Sequence, residues 1–304
     1  MAFRIQLRTV WELVRAAFSE WWEDNTFRLA ASLAFYTIFS LAPILLIAVE
    51  IAAIVLSREQ AQQQIVRQIE DLVGSEGGKA IQEVLRGAGR IGGNLKAVAL
   101  GLAAILVGST AVFAELQSAL NQIWDVRADP RRNVIKGLLR TRLRSFALAL
   151  AVGFLLLVSL ALSALLTAVQ EFLADQMPGL PWMWQVGNFL VSFVVVAVLF
   201  AMIYKYLPDV QITWRDVIIG AVVTAVLFSL GKWLIGLYLG RVAFASTYGA
   251  AGSFVVLLIW IYYSALISFL GAEFTQVYAR RFGSRIRPEP HAIRVGKKAE
   301  HLDC

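Results

Sequence analysis

Residues 252–277 read GSFVVLLIWIYYSALISFLGAEFTQV, and Glu273 is the only charged side chain among them. A helix of that length, rising about 1.5 Å per residue, reaches about 39 Å, more than the roughly 30 Å of a bilayer's hydrocarbon core. The stretch therefore reads as a membrane span. Five others read the same way, at 29–56, 97–123, 145–169, 186–206 and 214–238. The expected fold is an all-α, polytopic membrane protein with six transmembrane helices. Composition agrees, because 59% of the 304 residues are hydrophobic and 16% are charged, which is too apolar for an average soluble domain.

The net charge of +7 reads as basic cytoplasmic loops, with no nucleic-acid partner expected. Lys and Arg number four in residues 1–28, seven in 124–144, two in 205–215 and seven in 278–304. The alternate segments hold six in 57–96, none in 170–185 and one in 239–251. Twenty against seven places both termini in the cytoplasm and predicts a multi-pass protein of the bacterial inner membrane. No cleavable signal peptide is expected. The single cysteine, Cys304, precludes an intrachain disulfide.

Three regions flank or interrupt the spans. Residues 1–28 carry Leu7, Val10, Trp11, Val14, Phe18, Trp21 and Trp22 at helical spacing. This predicts a cytoplasmic amphipathic helix, lying at the membrane interface or packed on the bundle. Residues 57–96 repeat apolar side chains helically on either side of Gly74, Gly77 and Gly78, which predicts an extracytoplasmic helical hairpin acting as a lid or a packed cap. Residues 278–304 read as a basic cytoplasmic tail. Trp22, Trp124, Trp182, Trp184 and Trp214 fall at expected span ends, where the headgroup region favours an amphipathic ring. Trp260, Tyr262 and Tyr263 fall well inside the last span and predict contact with the bundle or a cavity.

Four charges lie within apolar runs: Glu50, Glu115, Lys232 and Glu273. Each costs roughly 2.5 to 3.5 kcal/mol at mid-bilayer, so such groups face protein or a wet cavity. Glu50 and Lys232 fall at similar depth near the outer side, as a register-fixing pair or as transport residues. Glu115 and Glu273 fall toward the inner side, and Glu273 is placed to reach the interface. Pro43 removes a backbone bond in the first span, making Ser40 to Pro43 a further candidate. Trp260 and Tyr263 complete the candidate transport or cavity set. Arg131, Arg132, Arg280 and Arg281 are candidate contacts for anionic lipid. Gly236 and Gly240 have GxxxG spacing, read as helix packing or as a homo-oligomer contact.

The stretches at 29–46 (LAASLAFYTIFSLAPILL), 116–126 (LQSALNQIWDV), 206–216 (YLPDVQITWRD) with Gly220-Ala221, and 248–273 (YGAAGSFVVLLIWIYYSALISFLGAE) resemble the YihY/BrkB membrane proteins. The resemblance runs over about residues 10 to 283. It implies a six-helix inner-membrane protein with both termini inside. The family-like residues are Tyr36, Ser40, Pro43, Asn121, Trp124, Pro208, Gly220, Tyr248, Gly249, Trp260, Gly271 and Glu273.

That family once carried the label ribonuclease BN, and the sequence disfavours such an activity. Its two histidines, His291 and His301, fall in the tail, with no His/Asp cluster at metal-ligand spacing. No Ser-His-Asp set, GxxxxGK loop or CxxC pair is present either. No catalytic residue, metal or cofactor is expected, and the chain is read as no enzyme. Two classes remain: a transporter or flippase-like exporter of an amphiphile or organic anion, and a non-transporting envelope scaffold that binds lipid or protein partners.

Overall fold

A computed structural model describes residues 7–53, 56–73, 75–88, 111–131, 181–239, 250–283 and 286–295. Helix α1, Leu7–Glu23, splits its apolar side chains between two stripes. Leu13, Ala17 and Trp21, four residues apart, are buried, while Trp11, Phe18 and Trp22 face outward. Leu13 and Ala17 pack with Val277 and Tyr278 of the last helix, and Trp21 Nε1 donates to the Leu266 carbonyl at 3.2 Å. Of the two placements expected for this helix, packing on the bundle accounts for one stripe. The outward stripe stays free for lipid.

Asn25, with φ at 53°, turns the chain into α2, Thr26–Ala52, and the Thr26 hydroxyl donates to the Trp21 carbonyl. Asparagine tolerates this left-handed conformation better than other side chains. Helices α3, Arg58–Val73, and α4, Ser75–Ala88, pack on each other. Ala61, Ile81 and Leu85 from this pair share a core with Leu45 and Val49 of α2 and with Leu257 and Trp260 of the last helix. The apolar face of the pair thus covers one end of the bundle.

The remaining described helices are α5 (111–123), α6 (Pro181–Tyr206), α7 (Trp214–Leu239) and α8 (Ala250–Arg281). Three segments are long and apolar enough to cross a membrane: Phe189–Tyr206 in α6, Trp214–Ile235 in α7 and Phe254–Arg281 in α8. Their outward faces carry Val194, Val222, Val226 and Trp233, a contiguous apolar exterior suited to lipid. The expected span at 145–169 and most of that at 97–123 lie outside the described residues. In α2 the described apolar stretch is Thr26–Leu41.

The chain is mostly helical, as expected, with two short strand pairs besides. Strand β1, Val126–Ala128, pairs antiparallel with β4, Ala292–Arg294, and β2, Val210–Gln211, pairs with β3, Arg287–Pro288. Strands of two or three residues are too short to show alternation in a sequence. They fold part of the expected tail back onto the ends of α5 and α6.

Candidate functional site

The contact between α7 and α8 sets the spacing of the bundle. A β-carbon at Gly220 would overlap Thr275, and one at Gly271 would overlap Thr224. Each threonine of one helix therefore sits on a glycine of the other. Each hydroxyl also donates to the carbonyl four residues back, Thr224 to Gly220 at 2.7 Å and Thr275 to Gly271 at 2.6 Å. Small residues let the backbones approach, and the local bonds satisfy polar groups that hydrocarbon cannot.

Farther along α8, the side chains are larger and the helices line a half-open cavity of about 280 Å³. Trp260, Ser264 and Ser268 of α8 line it together with Phe200 and Tyr204 of α6 and Phe228 of α7. The Phe228 and Trp260 rings meet edge to face at 5.9 Å. The Tyr204 hydroxyl donates to the Ser268 carbonyl at 2.6 Å. Ser264 Oγ is buried with no hydrogen-bond partner among the described residues. The lining is otherwise hydrocarbon, in the manner of sites that take an apolar group and orient it with a few hydroxyls.

The four charges do not gather at this cavity, and none of them lines it. Glu50 pairs with Arg58 at 2.8 Å, and the two side chains are 61% and 57% exposed. The first span was expected to run to Leu56, whereas α2 ends at Ala52, so Glu50 lies in the last turn and meets the first residue of α3. Glu115, half-buried on α5, accepts a hydrogen bond from Ser32 Oγ of α2. Lys232 is half-buried on α7. Next to it, the Tyr263 hydroxyl lies where a β-carbon on Gly231 would project. Glu273 is 0% exposed and packs inside the bundle. Ser40 is also fully buried. Helix α2 continues through Pro43, whose side chain lies outside the described residues.

A second constellation forms where α5 and α6 end. Asp209, buried just after α6, takes Asn121 Nδ2 on its Oδ2 at 2.9 Å and Gln117 Nε2 on its Oδ1 at 3.2 Å. Its backbone N–H donates to Asn121 Oδ1 at 2.8 Å. His291 Nε2 lies 3.0 Å from Asp209 Oδ1, and His291 Nδ1 lies 3.3 Å from Glu289 Oε2. Beside it, Arg280 pairs with Asp125 and, at 3.7 Å, with Glu20 of α1, and Arg281 pairs with Glu12 at 3.3 Å. Two of the arginines expected to meet lipid thus fasten α1 to α8. Arg131 is exposed, and Arg132 lies outside the described residues.

Residues 17–295 match the family described as virulence factor BrkB. The chain belongs to the BrkB family of membrane proteins. It is similar to a UPF0761 membrane protein of Ralstonia nicotianae, at 31% identity over 82% of this chain and 55% of that protein. A UPF0761 membrane protein of Psychrobacter sp. is 29% identical over 83% of this chain and 45% of its own length. One from Alteromonas mediterranea is 26% identical over 92% and 87%. The chain thus spans about half the length of the Ralstonia and Psychrobacter proteins. No solved structure matches it.

Several residues singled out by the BrkB resemblance acquire structural roles. Gly220 and Gly271 are the two glycines beneath the threonines, and Asn121 is the side chain that orients Asp209. Trp124, expected at a headgroup boundary, is 1% exposed and sits in the main core. Trp22 and Trp214 do face outward. Tyr248 and Gly249 lie outside the described residues. The Asp209–Glu289–His291 grouping escaped the sequence, because Asp209 is distant in the chain from Glu289 and His291 and meets them only through the β2–β3 and β1–β4 pairs.

Proposed function

We propose that this BrkB-family protein is a non-enzymatic transporter or flippase-like exporter of an amphiphile, which places its apolar chain in the cavity beside Trp260. The cavity is the observation that carries the reading. An apolar space within the bundle offers a hydrocarbon chain somewhere to sit while its headgroup changes environment. The proposed setting is the bacterial inner membrane, with six spans and both termini in the cytoplasm. The gathering of α1, the ends of α5 and α6, the start of α7 and the end of α8 at one side supports that topology. On this reading α3 and α4 form an extracytoplasmic cap, and Arg131 faces anionic headgroups. Membrane lipids are the natural partners.

The scaffold alternative draws on the α3–α4 pair, whose polar faces a partner could grip. A cavity inside the bundle has no use in that reading, and so transport is preferred. The test reconstitutes the full-length protein in vesicles holding short-chain fluorescent phosphatidylglycerol or phosphatidylethanolamine and follows quenching of outer-leaflet probe. Ala265 lines the cavity, so Ala265→Phe should slow probe movement at least fivefold, while Val226→Ala, on the outward face of α7, should preserve it. Movement no faster than in empty vesicles, or unaffected by Ala265→Phe in a folded protein, overturns the reading.

A further inference from the structure

The grouping at the ends of α5 and α6 has the chemistry of a metal centre and lies apart from the cavity. One ligand atom each from Asp209, Glu289 and His291 falls within 4.8 Å of the others. Two bonds of about 2.1 Å on one ion hold their ligand atoms about 3.0 Å apart at an octahedral right angle and about 3.4 Å apart at a tetrahedral angle. His291 Nε2 and Asp209 Oδ1, 3.0 Å apart, have the octahedral separation. Asn121 grips the other Asp209 oxygen and the Asp209 backbone, as outer-shell groups do when they aim a ligating carboxylate. The positions of Glu289 and His291 are fixed by backbone bonds, Glu289 N–H to the Asp209 carbonyl at 2.9 Å and Asp129 N–H to the His291 carbonyl at 3.0 Å.

Gln117 supplies an independent sign. It is 4% exposed, and its Oε1 is buried with no hydrogen-bond partner among the described residues, although its Nε2 meets Asp209 Oδ1 at 3.2 Å. The amide can turn end for end with little change of shape. That turn would set a carbonyl oxygen against a carboxylate oxygen, a contact that only a proton or a cation makes favourable. In the turned amide the carbonyl oxygen faces a cation at Asp209, and the NH2 group takes the buried place that Oε1 now occupies.

We propose that Asp209, Glu289 and His291 bind one divalent cation of the Zn²⁺ or Mn²⁺ class, with the Gln117 carbonyl as a further oxygen donor. One imidazole nitrogen among oxygen donors suits these borderline ions better than a soft, thiol-seeking one. Two carboxylates balance the ion's charge. The ion ties the β3–β4 segment to the end of α6, so its binding stabilises the folded tail. This assignment does not depend on the transport reading.

The test uses full-length protein in detergent, purified through a tag without histidine, stripped with EDTA and titrated calorimetrically with Zn²⁺ alone or Mn²⁺ alone. One ion per chain should bind and raise the melting temperature. His291→Ala and Glu289→Gln should each weaken binding at least tenfold, and His301→Ala should leave it unchanged. If His291→Ala fails to fold, the isosteric Glu289→Gln decides. Folded wild type that binds neither ion overturns the proposal. So does binding that Glu289→Gln leaves intact or that His301→Ala abolishes.

Discussion

Replacing Gly220 with alanine puts a methyl group into the seam between α7 and α8. The new carbon would stand 2.7 Å from Thr275 Cβ and 2.9 Å from Thr275 Cγ2. Carbon atoms rest about 3.5 to 4.0 Å apart, so the carbons alone require the helices to separate by about 0.8 Å, and Thr275 Oγ1, the atom nearest the new methyl, requires more. Rotating Thr275 offers no escape, because its Cβ is fixed to the backbone and its hydroxyl donates to Gly271. Overpacking of this kind costs about 1 to 3 kcal/mol. At about 2 to 4 °C per kcal/mol for a chain of this order, Gly220→Ala should lower the melting temperature by about 2 to 12 °C. Thermal unfolding in detergent, followed by tryptophan fluorescence, measures this. Adding Thr275→Gly moves the methyl from one helix to the other and should recover most of the loss beyond the roughly 1 kcal/mol that glycine costs a helix. Thr275→Ser keeps the offending Cβ and should recover little. An unchanged melting temperature for Gly220→Ala, or equal rescue by serine and glycine, would refute the glycine–threonine seam.

Arg280→Met should cost about 1.5 to 3 kcal/mol, the range for hydrogen bonds to charged groups, because it strips Asp125 and Glu20 of their shared partner. Faster protease cleavage within α1 is the readout, and an unchanged cleavage rate counts against the clasp. Trp21→Phe removes the Nε1–H bond to Leu266 together with one ring of a buried side chain, and should lower stability by about 1 to 3 kcal/mol, measured by the same melting experiment. Glu115→Gln keeps an acceptor for Ser32 Oγ, so the fold should melt within about 1 kcal/mol of wild type. If Glu115 carries a proton during transport, probe movement in the variant should lose any response to an imposed pH gradient; a retained response removes Glu115 from the mechanism.

The membrane class and the helices α6, α7 and α8 were legible because apolar runs of that length have few other uses in a sequence. Boundaries were less so. The expected first span is four residues too long, since α2 stops at Ala52 and not at Leu56, and that one helical turn brings Glu50 within reach of Arg58. Trp124 misled for a related reason. A tryptophan at a helix end suits a headgroup layer, but whether that end is covered depends on neighbours such as Val126 and Ile212, which join it in the core. Gly220 and Gly271 were marked by resemblance alone. Their role needs the opposite threonines, and no local pattern pairs Gly220 with Thr275. His291 was read as a tail residue because the strands that carry it to Asp209 are too short to leave a pattern.

The distribution of polar groups bears on which kind of cargo fits. The ion pairs of Arg280 and Arg281 and the carboxylates around His291 lie near the ends of α5, α6 and α8, and Glu50 pairs with Arg58 beyond the last turns of α2. The cavity offers little besides the Ser264 and Ser268 hydroxyls and the Tyr204 hydroxyl, which already bonds a carbonyl. An organic anion entering it would give up hydration worth several kcal/mol even after relaxation, and one or two hydroxyls do not restore that. A hydrocarbon chain meets no such cost and gains about 0.8 kcal/mol for each methylene removed from water. Of the two cargoes expected from the sequence, the cavity therefore suits the apolar part of an amphiphile and disfavours a free anion. Any charged headgroup must then pass outside this space, so a polar, uncharged substitution within it, such as Ala265→Asn, should weaken binding of a long-chain amphiphile without admitting a short anionic one.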